Sequence, residues 1–331
     1  PLTHPPPPPP PPRHGVRRQR QMCIRDRRSE AEFEARRKCG QSFFDEAGKA
    51  ANDEPGELPI EELKVGRFTV QQQTKLWAGT DMSCFLARSD IGTFAQAVVF
   101  DNTVLFRREL EILAKLEAQG SEDPQFHKLL YLRHVTFTEA GSPVECLVYE
   151  NFPNMANTGA VNGERLRDVA HQLALALAQL HGLGMLHCDV RPKALCWSED
   201  QNCVKLTRLS RVRDLQDSSV FEEAPYVGPY RAPELHCALS KMRVSESSDA
   251  FAFAVTLVEL AAGPEKHLFN SMKSIMNFHY EVERGAAPSV YSAMAKISSR
   301  HLGIALQSLR FSPENRVTVR DFLKRELWRQ L

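Results

Sequence analysis

Apolar and polar residues follow two different periods along the chain, and the change between them predicts two structural regions. Between residues 67 and 152, short runs rich in β-branched and aromatic residues, separated by turn residues, predict five strands. These runs are GRFTVQQQTKLWAG, SCFLARSD, TFAQAVVFD, KLLYLRHVTFTE and ECLVYENF. Between the third and fourth runs, residues 105–119 carry apolar residues at helical spacing and predict a helix.

From residue 164 onward the pattern becomes helical, starting with RLRDVAHQLALALAQLHGLG. Strands followed by helices indicate an α+β fold with two lobes, in which a small N-terminal antiparallel sheet lobe packs on a larger helical C-terminal lobe. We place the sheet lobe at residues 67–152 and the helical lobe at residues 153–331.

The first 66 residues lack the apolar pattern that a packed core requires. Residues 1–12 are mostly proline, which predicts an extended polyproline II arm. The following stretch RRQRQMCIRDR resembles the translation of a sequencing adapter, so we interpret residues 1–27 as a disordered Pro/Arg-rich tail of doubtful origin. Residues 28–66 are charged and polar, and they predict a linker with one short helix at RSEAEFEARRK.

Composition argues against several classes of function. The 42 Lys and Arg residues nearly balance the 41 Asp and Glu residues, so no basic field points to nucleic acid. The eight cysteines form neither a CxxC pair nor a zinc-binding spacing, which predicts reduced thiols, no metal site and a cytoplasmic or nuclear location. The longest apolar run, residues 250–263, is too short to cross a bilayer and contains Glu259, so it predicts a buried helix and no membrane association.

Five segments carry a more specific signal. They are LHCDVRPKALCW (186–197), VKLTRLS (204–210), YVGPYRAPEL (226–235), SSDAFAFAVTLVEL (247–260) and FSPENRVTVRDFL (311–323). In this order and spacing they resemble the catalytic loop, the metal-binding DFG motif, the end of the activation segment, the central helix and the closing segment of eukaryotic protein kinases. The resemblance covers residues 67–330 and implies the two-lobed fold of that family.

The resemblance also identifies the positions that would carry phosphoryl transfer. Asp189 stands in the place of the catalytic aspartate, which orients the attacking hydroxyl in this family. Ala194 replaces the metal-binding asparagine and has no oxygen to offer a hard cation. Arg208 replaces the metal-binding aspartate of DFG, so that a positive charge stands where Mg²⁺ would be held. We therefore expect Asp189 to be structural.

The positions that would bind the nucleotide have also lost most of the family's residues. Only Gly79 remains of the glycine-rich loop, and Val99, two residues after Ala97, occupies the place of the third-strand lysine. Glu109 resembles the helix glutamate that pairs with this lysine, and without that partner we expect it to be a solvated surface carboxylate. Residues that could still line a nucleotide pocket are Gly79, Ala97, Glu150, Leu195 and Cys196.

The packing positions of the family are retained. Leu209 is predicted to stack between Leu113 and His187, and His187 to rest on Asp249. In the closing segment, Arg316 is placed to pair with Glu234 of the Ala-Pro-Glu triplet.

The sequence therefore predicts a pseudokinase, meaning a kinase fold that acts as a scaffold or allosteric regulator with little or no phosphoryl transfer. Its expected partners are other signalling proteins, an active kinase among them, and no cofactor is expected. Two alternatives stay open. One is a nucleotide sensor that binds ATP without Mg²⁺, and the other is an atypical Ser/Thr kinase of weak activity in which Arg88 or Arg208 contacts the phosphates.

Overall fold

A computed structural model describes the two lobes and their junction. The described residues are 63–79, 81–120, 134–138, 141–152, 155, 159–161, 163–198, 202–215, 226, 228–236, 244–263, 267–283 and 306–324. The tail expected at residues 1–27, and the linker up to residue 62 with its short helix, lie outside these ranges.

The N-terminal lobe is one antiparallel sheet of six strands. Its strands are β1 (Leu63–Val65), β2 (Phe68–Ala78), β3 (Met82–Ser89), β4 (Phe94–Phe100), β5 (His134–Phe137) and β6 (Glu145–Glu150), in the spatial order β1-β2-β3-β4-β6-β5. The five strands predicted from the sequence are all present. Strand β1 adds a sixth, so the sheet begins four residues before the boundary expected at residue 67. Three residues are too few for an alternating pattern to be visible in the sequence.

The sheet has one face in its own core and the other against a helix. Side chains from β1–β4 and β6 form an apolar cluster on the first face, with Phe68, Phe85 and Val148 among its members. The β1–β2 turn lies close to β5 at the other edge of the sheet, since a methyl group added at Gly66 would be 3.0 Å from Thr136 Oγ1. The two edge strands therefore approach each other.

Helix α1 (Thr103–Gly120) packs across the second face of the sheet. Its buried residues, among them Phe106, Leu113 and Leu116, share one cluster with Met82 and Val98 of the sheet. The same cluster includes Leu180 and Leu209 of the helical lobe. This interlobe cluster therefore joins the two lobes, while most of the helical lobe packs around a separate cluster that includes Leu173 and Phe253.

The C-terminal lobe is mainly helical, as expected. Its helices are α2 (Gly163–Gly182), α3 (Glu246–Ala262), α4 (Met272–Glu283) and α5 (Val319–Lys324), and its short strands are β7 (Met185–Leu186), β8 (Leu195–Ser198), β9 (Cys203–Leu206) and β10 (Arg213–Asp214). Single turns of 3₁₀-helix connect them at Pro192–Ala194, Leu209–Arg211, Gly228–Tyr230, Pro233–His236, Leu306–Leu309 and Pro313–Asn315. This arrangement confirms the predicted α+β fold with two lobes.

Helix α3 is the central element of the helical lobe. Every residue from Ser248 to Leu260 is buried, which agrees with the apolar run seen in the sequence. In the parts of the chain that the structure describes, no helix has the length and apolar character needed to span a bilayer.

The cysteines that the structure describes lie in the interior of both lobes. Within the described ranges the cysteines are all buried and none forms a disulfide. They are Cys84, Cys146, Cys188, Cys196 and Cys203.

Candidate functional site

The loop between β7 and β8 is held by one buried carboxylate of helix α3. Asp249 accepts hydrogen bonds from the backbone N–H groups of His187 (2.9 Å) and Cys188 (3.1 Å) and from the Tyr226 hydroxyl (2.8 Å). Its Oδ2 also lies 2.9 Å from Nε2 of His181. These contacts fix Cys188 in a left-handed conformation with φ at 61°, and they position Asp189, the next residue.

Asp189 is neutralised by two arginines. Arg208 Nε donates to Asp189 Oδ2 at 2.9 Å, and Arg191 Nε lies 2.8 Å from Oδ1. The Asp189 side chain is only 1% exposed. Burial raises its pKa, but the positive charges of Arg191 and Arg208 outweigh this effect and lower the pKa to about 2. The carboxylate is therefore ionised, with hydrogen bonds from Arg191 and Arg208 at Oδ2 and an ionic contact without hydrogen-bond geometry at Oδ1.

Arg208 reaches this position through an unusual backbone conformation. It follows β9 and adopts φ 64° and ψ 48°, after which the chain continues as the 3₁₀ turn Leu209–Arg211. The guanidinium stacks on the Trp77 ring at 4.8 Å and is 9% exposed. Burial and the like charge of Arg191 lower the pKa of Arg208 to about 10, so it stays a cation at neutral pH.

The second metal position is also without a ligand. Ala194 is fully buried at the end of the 3₁₀ turn Pro192–Ala194, and its side chain is a methyl group. No group of three or more His, Cys, Asp or Glu side chains suited to a metal ion occurs among the described residues. The kinase resemblance implies Mg²⁺ at this site, but a guanidinium on the carboxylate and a methyl group do not fit a divalent cation.

The expectation for Glu109 was wrong. This side chain is 3% exposed, accepts a hydrogen bond from the Tyr149 hydroxyl at 2.6 Å, and accepts another from the backbone N–H of Ser210 at 3.1 Å. Burial raises its pKa above the ordinary value. Glu109 stays inside because α1 packs on the Leu209–Arg211 turn, so two neutral donors replace the missing lysine.

The register expected for β4 was wrong by one residue. Ala97 and Val99 belong to the apolar cluster on the other face of the sheet, whereas Gln96 and Val98 face the cleft between the lobes, where Glu109 lies. The place of the family's lysine, which projects towards this glutamate, is therefore taken by Val98. Both faces of β4 are buried, so alternation in the sequence could not identify the cleft side.

The cleft is narrowed by the chain's own side chains. The Gln96 amide donates to the Phe152 carbonyl, and Trp77 and Arg208 occupy the other end. The cavity between them has about 20 Å³ of space for the centres of water-sized molecules, within about 370 Å³ of empty space that is partly open to solvent. Trp77 and Arg208 therefore restrict the space that a nucleotide would use.

The other predicted pocket residues are divided between the cleft and its surroundings. Cys196 lines the cavity, and a methyl group added at Gly79 would lie 3.9 Å from Nη2 of Arg208. The Glu150 carboxylate lies 3.6 Å from Nζ of Lys205. Leu195 was placed wrongly, because it lies in the core of the helical lobe on the opposite side of β8 from Cys196.

Several of the packing contacts expected from the resemblance are present. Leu209 and Leu113 belong to the interlobe cluster, the backbone N–H of His187 binds Asp249, and the His187 ring lies 3.0 Å from the Thr207 carbonyl oxygen. The stacking of Leu209 on His187 stays a prediction. The expected pair of Arg316 and Glu234 is formed by two contacts, at 2.7 Å from Nη1 to Oε1 and 2.5 Å from Nη2 to Oε2.

Sequence reasoning missed several residues of the site: Trp77, Asp81, Gln96, Tyr149, Ser210 and Arg211. One signal could have revealed the ion pair of Asp189 with Arg208. In the resembling family the two positions serve the same reacting phosphate and its metal ions, so an arginine at one position is expected near the aspartate at the other.

The chain is similar in sequence to known proteins. A family profile described as "Protein kinase domain" matches residues 137–328, which is more than half of the chain. The chain therefore belongs to the protein kinase domain family.

Individual relatives are distant. The chain is 25% identical over 62% of its length to serine/threonine-protein kinase prp4 of Schizosaccharomyces pombe. It is 29% identical over 38% of its length to serine/threonine-protein kinase ppk21 of the same yeast, and 25% identical over 66% to serine/threonine-protein kinase Nek3 of Oryza sativa. These matches cover 43%, 24% and 35% of the three relatives, so the chain spans less than half of each.

Proposed function

We propose that this chain is a pseudokinase domain that acts by binding other signalling proteins and transfers phosphate little or not at all. One observation carries the proposal: the retained catalytic carboxylate, Asp189, is paired on both oxygens with arginines, and one of these, Arg208, stands at a metal-binding position.

The charges at this site oppose the chemistry of the family. Phosphoryl transfer depends on metal ions that neutralise the phosphates and on a carboxylate that orients the attacking hydroxyl. Arg208 repels a divalent cation, and Arg191 and Arg208 engage the oxygens of Asp189 that would accept the hydroxyl proton. Metal ions contribute several kcal/mol to such barriers, and each 1.4 kcal/mol changes the rate about tenfold.

The packing of the domain supports a binding role. The apolar cluster shared by the two lobes, the contacts of Asp249 and the Arg316–Glu234 pair give the domain a defined fold although the metal-binding positions are changed. An active kinase is the first partner we propose, and the buried thiols without disulfides support a cytoplasmic or nuclear location.

A transfer assay tests the catalytic half of the proposal. The full chain is incubated with labelled ATP, generic protein substrates and either Mg²⁺ or Mn²⁺, beside the Asp189→Asn variant as control. We expect no labelling above that of the control. Labelling that disappears in Asp189→Asn would overturn the proposal, and sensitivity to Arg208→Ala would then identify an atypical kinase.

Nucleotide binding separates the scaffold from a metal-independent sensor. The melting temperature is compared with ATP and a chelator, with ATP and Mg²⁺, and with an adenine analogue that has no phosphates. Because Trp77 and Arg208 restrict the cleft and Gln96 is bonded to Phe152, we expect no shift in any of these. A shift with ATP and chelator alone would establish the sensor.

The binding half needs a separate measurement. The chain is expressed in cells and the mass of its purified complex is measured. A partner present in stoichiometric amount supports the proposal, and a chain that is monomeric and alone in every extract contradicts it.

A further inference from the structure

The four-residue segment Arg208–Leu209–Ser210–Arg211 contacts the sheet lobe at several separate points. We call residues 208–211 the interlobe staple. Arg208 stacks on Trp77 of β2 at 4.8 Å, and the Ser210 N–H donates to Glu109 of α1 at 3.1 Å. Leu209 adds an apolar contact within the interlobe cluster.

The fourth residue of the staple binds the turn between β2 and β3. Arg211 Nη2 lies 2.8 Å from Asp81 Oδ2, and the two side chains are 21% and 31% exposed. In the same turn, the Gly79 N–H donates to the Met82 carbonyl at 3.0 Å. This turn stands where the kinase resemblance places the loop that covers the nucleotide phosphates.

The staple is also fixed to the helical lobe. Arg208 is bound to Asp189, and the backbone of Thr207, the residue before the staple, donates to the Ala194 carbonyl at 2.9 Å. Because one short, anchored segment holds a strand, a turn and a helix of the other lobe, the two lobes cannot separate without breaking these contacts together.

We propose that the interlobe staple closes the cleft in place of a nucleotide and its metal ion, so that the domain keeps one closed arrangement whether or not nucleotide is present. The guanidinium of Arg208 supplies the central positive charge, and Trp77 and Gln96 line the space around it. This inference rests on the proposed function, since a permanently closed cleft suits a binding domain and excludes turnover.

Amide hydrogen exchange of the full chain tests the staple. The double variant Trp77→Leu/Asp81→Asn removes two sheet-lobe partners and leaves the helical lobe unchanged. We expect exchange in the β2–β3 turn and in residues 208–212 to become about tenfold faster or more, while helix α3 keeps its protection. The matched control is Arg88→Gln, which removes a cation–π contact with Phe94 inside the sheet lobe alone.

A charge swap makes the test specific. We expect Asp81→Arg alone to open the turn and Asp81→Arg/Arg211→Asp to restore most of its protection. Protection that the swap does not restore, or a double variant that exchanges like the wild type, would overturn the staple. The staple would also be overturned if ATP and Mg²⁺ slowed the exchange of the wild type in the β2–β3 turn and in residues 208–212.

The two proposals can fail separately. Phosphate transfer is measured on the same preparations, and transfer by a chain with wild-type protection would contradict the proposed function while leaving the staple in place. Hydrogen exchange that contradicts the staple, in a chain that transfers no phosphate, would leave the proposed function in place.

Discussion

Replacing Arg208 with methionine removes one of the two cations that keep Asp189 ionised. In the wild type the pKa of Asp189 lies at about 2, below its ordinary value of 3.8, because Arg191 and Arg208 outweigh the effect of burial. The difference corresponds to about 2 kcal/mol of stability at neutral pH. Because the pKa is lower in the folded state, this stability is present above pH 3.8 and is lost as the pH falls through 2.

The Arg208→Met variant keeps Arg191 on the carboxylate, so Asp189 is not left without a counter-ion. Its Oδ2 loses the 2.9 Å bond from Arg208 and keeps the 3.2 Å contact from Arg191 Nη2. A lost hydrogen bond between charged groups costs about 1.5–3 kcal/mol, and relief from burying the guanidinium offsets part of it. We expect a net loss of roughly 1–3 kcal/mol, or about 3–10 °C in melting temperature.

Urea unfolding between pH 3 and pH 8 measures this loss. We expect a constant difference from the wild type above about pH 5 and a shrinking difference below it, because Asp189 then becomes protonated more readily in the variant. In the cycle with Asp189→Asn, the double variant should lose at least about 1 kcal/mol less than the two single losses combined. An Arg208→Met variant as stable as the wild type at pH 7, or a loss independent of pH, would refute the assignment of Arg208 as a counter-ion of Asp189.

Three further substitutions test other parts of the structure. Arg316→Met leaves the buried Glu234 carboxylate without its partner and should cost about 3–5 kcal/mol in urea unfolding, and a cost below 1 kcal/mol would contradict the pair. Gln96→Ala removes the hydrogen bond to Phe152 and should cost about 1 kcal/mol, with phosphate transfer still absent in the labelling assay. Glu109→Gln tests the pKa of Glu109, which burial raises above 4.5. The stability that depends on the protonated Glu109 side chain is complete below pH 4.5 and is lost as the pH rises through the raised pKa. The glutamine variant should therefore gain stability relative to the wild type between pH 5 and pH 7.5, and a relative loss over that interval would disprove the buried carboxylate.

The fold was predictable because its signals are local. Alternation in the strands, helical spacing in α1 and α2 and the apolar run of α3 each follow from a short window of sequence. The Arg316–Glu234 pair and the placement of Leu209 beside Leu113 followed from the family resemblance, since packing positions survive when ionic groups change.

The cleft was harder to predict because its contacts are long-range and replace lost partners. Nothing near Glu109 in sequence shows that Tyr149 and Ser210 supply its hydrogen bonds, since they lie 40 and 101 residues away. The one-residue register of β4 has a different origin, because both faces of the strand are buried and Gln96, its single polar residue, is all that marks the cleft side.

The buried cysteines give this chain a built-in set of chemical reporters. Burial raises the pKa of Cys146 and Cys196 to about 12, so at pH 7 very little of either thiol is the reactive thiolate. Alkylating reagents therefore modify them mainly when the surrounding structure opens. Because Cys146 lies in the sheet lobe while Cys188 and Cys203 lie in the helical lobe, mass spectrometry of alkylated peptides would follow the unfolding of each lobe without any introduced label.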